Sequence, residues 1–168
     1  MKIKKQQLLD LYGALKTWEQ ISNASAEESK KLSSRFIYAI VLNLNTLEPQ
    51  VQAIQAAIAA PEAIKEFERR RVSLCHAYSN KDAAGNSVMV NNNFSIADTV
   101  PFEKAIKELQ AEFATELTAY NTRVAAFEAT TLQEETELGL YQISIDDLPQ
   151  AGISGANMKI LVATGILK

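Results

Sequence analysis

The densest group of basic side chains lies between residues 65 and 71. It comprises one lysine and three consecutive arginines, Lys65, Arg69, Arg70 and Arg71. Ammonium and guanidinium groups bind phosphates and carboxylates, so the cluster is a candidate site for a small anionic ligand or an acidic partner. The alternative is a charge-balanced, solvated helix face, because Glu62, Glu66 and Glu68 alternate with the basic residues at helical spacing. A second, smaller group of the same kind consists of Lys30, Lys31 and Arg35.

Three consecutive asparagines, Asn91, Asn92 and Asn93, form the second candidate site. Their carboxamides offer hydrogen-bond donors and acceptors without charge, which suits recognition of a partner's backbone or of a polar ligand. The alternative is that asparagine is present because a turn needs positive φ. Replacing the triplet by Gly-Gly-Gly separates the two interpretations, since glycine keeps the backbone freedom and removes the side chains.

No set of residues predicts catalysis or metal binding. Cys75 and His76 are the only cysteine and the only histidine, and neighbours on a helix point about 100° apart, so they do not form a nucleophile–base pair. One histidine and one cysteine cannot build an ordinary zinc site. We interpret the acidic residues from 134 to 147 as a solvated linker instead of a magnesium site. The sequence therefore predicts no catalytic residue, no metal and no cofactor.

The elements that position the candidate residues are mostly helical. Residues 5–22 carry apolar side chains three and four apart, which predicts an amphipathic helix. Ser25 and Glu28 form a capping box that predicts the start of a second helix. Pro49 and Pro61 fall within the apolar pattern that follows, and each removes an amide donor, so we expect a kink or a break at each.

Residues 99–130 have apolar side chains in an approximate heptad pattern, which predicts a long helix lying along another helix. Its natural partner is the helix that carries the basic cluster, because the short excursion between them returns the chain antiparallel. We expect the apolar stripes of the long helices to be largely buried. Their central residues are Phe36, Ile40, Leu44, Phe113, Leu117 and Tyr120.

The excursion itself predicts a β-hairpin over residues 86–97. Clusters of Gly and Asn flank short β-branched and aromatic stretches there, and the asparagine triplet is the expected tip. Near the C-terminus, Tyr141, Ile143 and Ile145 alternate with polar residues, which predicts a strand over 140–145. A lone hairpin is marginal in water, so we expect this strand to join it.

The predicted fold is mainly α with a small β element, in a single domain of residues 1–168. The helical body covers 5–78 and 99–130 and consists of a long antiparallel helical hairpin plus an N-terminal helix. The β element comprises 86–97 and 138–146, and a short helix over 154–164 closes the chain.

Charge and composition argue against several classes of protein. The net charge of −3 and the pI near 5.3 are opposite to the basic surface that nucleic-acid binding requires. No stretch approaches the roughly 18 apolar residues that span a membrane, and a single cysteine excludes an internal disulfide. We therefore predict a cytoplasmic protein with neither a membrane nor a nucleic-acid partner.

Five segments together resemble a family of small uncharacterised accessory proteins of tailed bacteriophages. They are "KKQQLLDLYGAL" (4–15), "SSRFIYAIVLNLNTLEP" (33–49), "KDAAGNSVMVNNNFSIAD" (81–98), "FEKAIKELQAEF" (102–113) and "YQISIDDLPQAGISG" (141–155). The resemblance spans most of the chain but consists of helices and turns. It implies a viral accessory protein in the host cytoplasm and assigns no activity and no functional residues.

These observations leave three functions open, none of them enzymatic. The first is a phage-type interaction protein that binds a host or phage protein, for example as an inhibitor of a host defence component. The second is sequestration of a small nucleotide or phosphorylated signal by the basic cluster, and the third is virion or tail assembly. We also expect a homo-oligomer, a dimer or larger, because Ile37, Val41 and Leu42 extend the apolar surface beyond one stripe.

Overall fold

The structure, a computed structural model, describes residues 1–24, 32–149 and 153–168. In these residues there are six α-helices: α1 (Lys5–Ala24), α2 (Ser34–Ala57), α3 (Glu62–Tyr78), α4 (Thr99–Glu112), α5 (Ala114–Ala129) and α6 (Gly155–Ala163). The strands there are β1 (Lys2–Lys4), β2 (Met89–Val90), β3 (Asn93–Phe94) and β4 (Glu135–Glu137). Single 3-10 turns lie at Thr131–Gln133 and Ile145–Asp147. The predicted class, mainly α with a small β element, is confirmed.

The chain groups into two compact units. Unit 1 comprises Met1–Ile58 and Ala126–Lys168, and unit 2 comprises Ala59–Ala125. The prediction that residues 1–168 form a single domain stays a prediction.

The core of unit 1 forms between α1 and α2. The apolar residues of α1 recur three and four apart, so they lie on one face, and that face is buried against α2. Trp18 meets Phe36 edge to face, with ring centroids 5.4 Å apart. The largest side chains with almost no exposure in these two helices are Leu8, Leu11, Leu15, Trp18, Phe36, Ile40 and Leu47. Phe36, Ile40 and Leu44 are buried as expected.

Helix α2 begins at Ser34, where the Ser33 hydroxyl accepts a hydrogen bond from the Phe36 N–H. The start predicted at Ser25 and Glu28 lies outside the described residues. The helix does not break at Pro49, which sits at an exposed position inside it. A break does occur at Pro61, because α2 ends at Ala57 and Pro61 is the N-cap of α3.

The strand prediction near the C-terminus is wrong in position and partner. β4 lies at Glu135–Glu137, upstream of residues 140–145, and it pairs antiparallel with β1, which the sequence analysis missed. Lys2 faces Glu137 and Lys4 faces Glu135 in this ladder, so opposite charges stand across the two strands. The buried Ile3 between them turns towards the core.

Residues 140–145 pack along α2 in unit 1. The side chain of Asn43, which is fully buried, donates to the Tyr141 carbonyl (2.9 Å) and accepts from the Tyr141 N–H (2.7 Å). Further on, the Ile143 N–H donates to the Ile166 carbonyl, and the Lys168 N–H donates to the Ile143 carbonyl, both at 2.8 Å. This segment therefore pairs with the end of the chain, in a single parallel bridge between Ile143 and Leu167.

In unit 2, α3 pairs antiparallel with the helices after the excursion, as predicted. Tyr78 packs against Phe102 and Phe67 packs against Phe113, with ring centroids 5.9 and 5.8 Å apart. The prediction of one helix over 99–130 is wrong at Phe113, which has non-helical backbone angles and separates α4 from α5.

The burial predicted for Phe113, Leu117 and Tyr120 is also wrong, because all three are only half-buried. In a pair of helices each stripe is covered from one side only, so a side chain on it keeps part of its surface exposed. Within α5, none of the described side chains is fully buried.

The excursion between α3 and α4 contains a two-stranded sheet, and the residues after α3 pair with it through isolated bridges. β2 and β3 are the predicted hairpin, with Met89 opposite Phe94 and Val90 opposite Asn93. The residues after α3 lie against the hairpin without forming a regular strand: the Asn80 N–H donates to the Ser95 carbonyl (2.6 Å), and the Val88 N–H donates to the Asn80 carbonyl (2.8 Å). The prediction that residues 140–145 join the hairpin is wrong. A segment a few residues away closes a much shorter loop, which costs less chain entropy.

Candidate functional site

The basic cluster lies on α3, and an ion pair connects it to a second helix. Arg70 donates from both Nη atoms to the two carboxylate oxygens of Glu112 on α4, at 2.5 and 2.7 Å. This bidentate contact lowers the pKa of Glu112 and raises that of Arg70. The guanidinium carbon lies 5.5 Å from the centre of the Phe113 ring. Arg70 thus connects α3 to the break between α4 and α5.

The other three basic residues form ion pairs one helical turn along α3. The pairs are Lys65–Glu62 (3.4 Å), Arg69–Glu66 and Arg71–Glu68 (2.8 Å). Every cation of the cluster therefore already has a carboxylate partner. An anionic ligand would have to displace that carboxylate or bind beside its negative charge. The geometry favours the alternative interpretation, a charge-balanced helix face.

The asparagine triplet forms the tight turn of the hairpin. Asn91 and Asn92 have φ of +50° and +62°, in the left-handed region that asparagine tolerates better than most residues. Asn93 belongs to β3, and its side-chain amide donates to the Asn91 carbonyl (3.1 Å). The turn therefore explains the residue type at two of the three positions. The carboxamides of Asn91 and Asn92 make no hydrogen bond to any described residue.

The two residues before this turn are apolar and exposed. Met89 keeps 49% and Val90 56% of their surface accessible. They lie in residues 83–97, fifteen consecutive positions without a charged side chain in a chain that is 22% charged. We call Met89, Val90 and Asn91–Asn93 the hairpin surface. It combines exposed apolar atoms with free carboxamides and carries no side-chain charge.

A polar cluster that the sequence analysis missed lies at the base of the hairpin. The Ser87 hydroxyl is 3.0 Å from His76 Nδ1 and accepts a hydrogen bond from Lys81 Nζ, also at 3.0 Å. The three residues line an open cleft of about 540 Å³ with Met89 and Phe94. Lys81 and Ser87 are five and eleven positions after His76. His76 belongs to α3, whereas Lys81 and Ser87 lie between α3 and β2. The bridge between Lys81 and Ser87 brings them together, and no spacing rule predicts it.

The geometry of this cluster is that of a structural hydrogen-bond network. Lys81 also donates to the His76 carbonyl (2.6 Å) and the Ser79 hydroxyl (3.2 Å), so all three ammonium protons have acceptors. A cation on a last-turn carbonyl stabilises a helix C-terminus. A serine hydroxyl beside an imidazole is also the arrangement of a catalytic nucleophile and its general base. In the described residues, however, no group orients the other ring nitrogen of His76 as such a base requires. Cys75 is buried and His76 is exposed.

Two further findings concern the described residues only. No three His, Cys, Asp or Glu side chains there lie close enough together to hold a metal ion. None of the helices there has both the length and the apolar character needed to cross a membrane.

Comparison with known proteins does not assign the chain to a family. No protein-family model matches the chain, and no curated protein and no solved structure is significantly similar to it.

Proposed function

We propose that this chain is a non-enzymatic binding protein and that the hairpin surface contacts a partner protein. The observation that carries the proposal is the exposure of Met89 and Val90 beside a tight turn, within fifteen uncharged residues. The centres of protein interfaces are depleted in charged residues and enriched in side chains such as methionine. Unpaired carboxamides at the turn supply hydrogen bonds that orient a partner.

The kind of partner follows from charge and from the resemblance given above. A surface without charge does not attract a polyanion, so a protein fits better than nucleic acid. The resemblance to phage accessory proteins favours a host or phage protein as the partner, in the host cytoplasm. Inhibition of host defence and virion or tail assembly are the two roles that such a contact would serve. Sequestration of a phosphorylated ligand gains no support, because every cation of the basic cluster is paired with a glutamate.

Affinity capture from a bacterial host lysate tests the proposal. The informative variant is Met89→Thr with Val90→Thr, since threonine suits a strand and removes apolar surface at both positions. We expect wild-type protein to retain specific partners and this variant to lose them. The matched control is Val72→Thr on α3, another exposed valine of unit 2, which should retain them. Identical capture by all three proteins would refute the assignment of the hairpin surface.

A second variant tests the asparagine side chains alone. Replacing Asn91–Asn93 by Gly-Gly-Gly keeps the positive-φ turn accessible and removes the carboxamides. If the carboxamides contact the partner, capture weakens while the circular dichroism spectrum stays that of the wild type. Undiminished capture would show that the asparagines serve the turn only.

A further inference from the structure

A second exposed apolar surface lies in unit 1, and the hairpin surface has no part in it. It comprises Tyr38 and Val41 on α2 together with Tyr141 and Ile145 on the segment beside α2, and we call these four residues the aromatic strip. Tyr38 is 58% and Ile145 is 62% exposed. The two tyrosine rings meet edge to face, with centroids 5.9 Å apart.

The strip is continuous because two polar contacts hold the segment against α2. The Asn43 carboxamide donates to the Tyr141 carbonyl and accepts from the Tyr141 N–H, and the Ser33 hydroxyl donates to the Asp147 carbonyl (3.1 Å). Residue numbers therefore rise along the segment as they fall along α2. The two run side by side in opposite directions.

Local geometry decides which side chains face outward. In the segment Ile143 is 1% exposed, whereas Tyr141 and Ile145, two residues before and after it, are exposed. On α2, Phe36 and Ile40 are buried and Tyr38 and Val41 are exposed. The inward positions hold the segment in place, and the outward positions form one apolar face. Tyrosines in such faces are frequent hot spots of protein interfaces.

The charges beside the strip are complementary to each other. Arg35 lies on the α2 side, near the start of the helix, and Asp146 lies on the segment side at the same end, next to the contact between Ser33 and Asp147. Neither has an ion-pair partner among the described residues. A two-fold axis parallel to α2 would place the helix side of one copy over the segment side of another. Arg35 then faces Asp146, and Tyr38 faces Tyr141.

We infer that the aromatic strip is the interface of a homodimer, with a second copy of this chain as its occupant. A two-fold interface must be self-complementary, and this strip is so in polarity and in charge. Its apolar centre meets the apolar centre of the second copy, and arginine meets aspartate. The arginine–aspartate contacts occur twice by symmetry, so they select the orientation of the two copies.

Charge exchange tests this interface by sedimentation velocity over a range of concentrations. Wild-type protein should approach the mass of two 18.5 kDa chains. Arg35→Glu and Asp146→Arg each create two like-charge contacts, and each should raise the dimer dissociation constant by about tenfold or more. An equimolar mixture of the two variants should dimerise again. In the mixed dimer the introduced glutamate of one variant faces the introduced arginine of the other, and the unchanged Arg35 faces the unchanged Asp146.

The controls separate the interface from folding and from the partner surface. Tyr38→Ser with Tyr141→Ser should abolish dimerisation, while Val162→Thr, at an exposed valine of α6, should leave it unchanged. The hairpin variant Met89→Thr with Val90→Thr should also dimerise normally, so loss of partner capture and loss of the dimer are distinguishable. Wild-type protein that stays at 18.5 kDa at all concentrations overturns the inference. A dimer that Arg35→Glu leaves intact, or a variant mixture that stays monomeric, overturns it as well.

Discussion

In unit 1, α1 and α2 bury leucine, phenylalanine and tryptophan side chains almost completely, whereas in unit 2 most large apolar side chains keep part of their surface exposed. The helices of unit 1 are covered by each other and by the segments after residue 126, which pack over the same core. Unit 2 has one pair of helical stripes and a small β element. The difference indicates that close packing of a buried core determines the fold of unit 1. The fold of unit 2 is determined by two paired apolar stripes and by local contacts.

Polar contacts follow the same division. The amide of Asn43 in unit 1 has no exposure and both its donor and its acceptor are used. In unit 2 the contact between Arg70 and Glu112 and the turn around Asp82 are at the surface. A buried polar contact costs much free energy when one partner is removed, whereas an exposed one is partly replaced by water. Regions with few buried contacts open more easily, which would suit the partner contact proposed for the hairpin surface.

The same substitution in both units gives the largest test of this comparison. Leu11→Ala in α1 removes a side chain with no exposure and should lower the free energy of unfolding by about 3–5 kcal/mol. Leu117→Ala in α5 removes a half-buried side chain and should cost about 1–2 kcal/mol. Urea unfolding measures both, with Trp18, the only tryptophan, as the probe in unit 1 and amide exchange as the probe in unit 2. Equal losses at the two positions would show that the units are packed alike.

A smaller effect is expected from the buried amide of unit 1. Asn43→Ala leaves the Tyr141 N–H and carbonyl without their partners, so we expect a loss of about 2–4 kcal/mol and faster exchange of the Tyr141 amide proton. The control is Asn45→Ala on the exposed face of α2, which should change stability by less than about 0.5 kcal/mol. An Asn43 variant as stable as the Asn45 variant would mean that water replaces the amide.

Local patterns in the sequence predicted the helices and the hairpin well. The apolar spacing of α1 and the turn at Asn91 and Asn92 each depend on a few neighbouring residues, and each is present as expected. The alternation of Tyr141, Ile143 and Ile145 with polar residues predicted one shared inward face, and this is wrong for two of the three: Ile143 is buried, whereas Tyr141 and Ile145 are exposed.

What the sequence could not supply is the choice of partner between distant segments. β4 pairs with β1 across more than 130 residues, and Asn43 binds Tyr141 across 98. Neither contact has a periodic signal, because one buried asparagine resembles any other polar residue in a pattern. The cluster of His76, Lys81 and Ser87 is local, but it depends on the bridge between Lys81 and Ser87, which no spacing rule predicts. The pairing of Arg70 with Glu112 could not be predicted either. The two residues are 42 positions apart, and they meet only because α3 and α4 align side by side.

The smallest expected effect is the pH dependence of the turn in unit 2. The backbone N–H of Asn86 donates to the Asp82 carboxylate, with weaker support from the Asn86 side chain and the Ala84 N–H, and this holds the pKa of Asp82 below its ordinary value of 3.8. A carboxyl whose pKa is lowered by folding adds stability above its unfolded pKa and loses it as pH falls through the folded pKa. The turn should therefore be fully ordered at neutral pH and loosen only below about pH 4.

The amide proton of Asn86 reports this transition, since it loses a charged acceptor when Asp82 is protonated. Its chemical shift should be constant at neutral pH and should change with a midpoint below 3.8, the ordinary pKa of the group. Asp82→Asn keeps an oxygen acceptor at the same place and removes the titration, so its Asn86 amide should show no such step. Unit 1 offers the contrast within one molecule, because the acceptor in the contact between Asn43 and Tyr141 is a carboxamide that does not titrate. A step in the Asn86 shift centred above about pH 4, or one that persists in Asp82→Asn, would contradict the role given to this carboxylate.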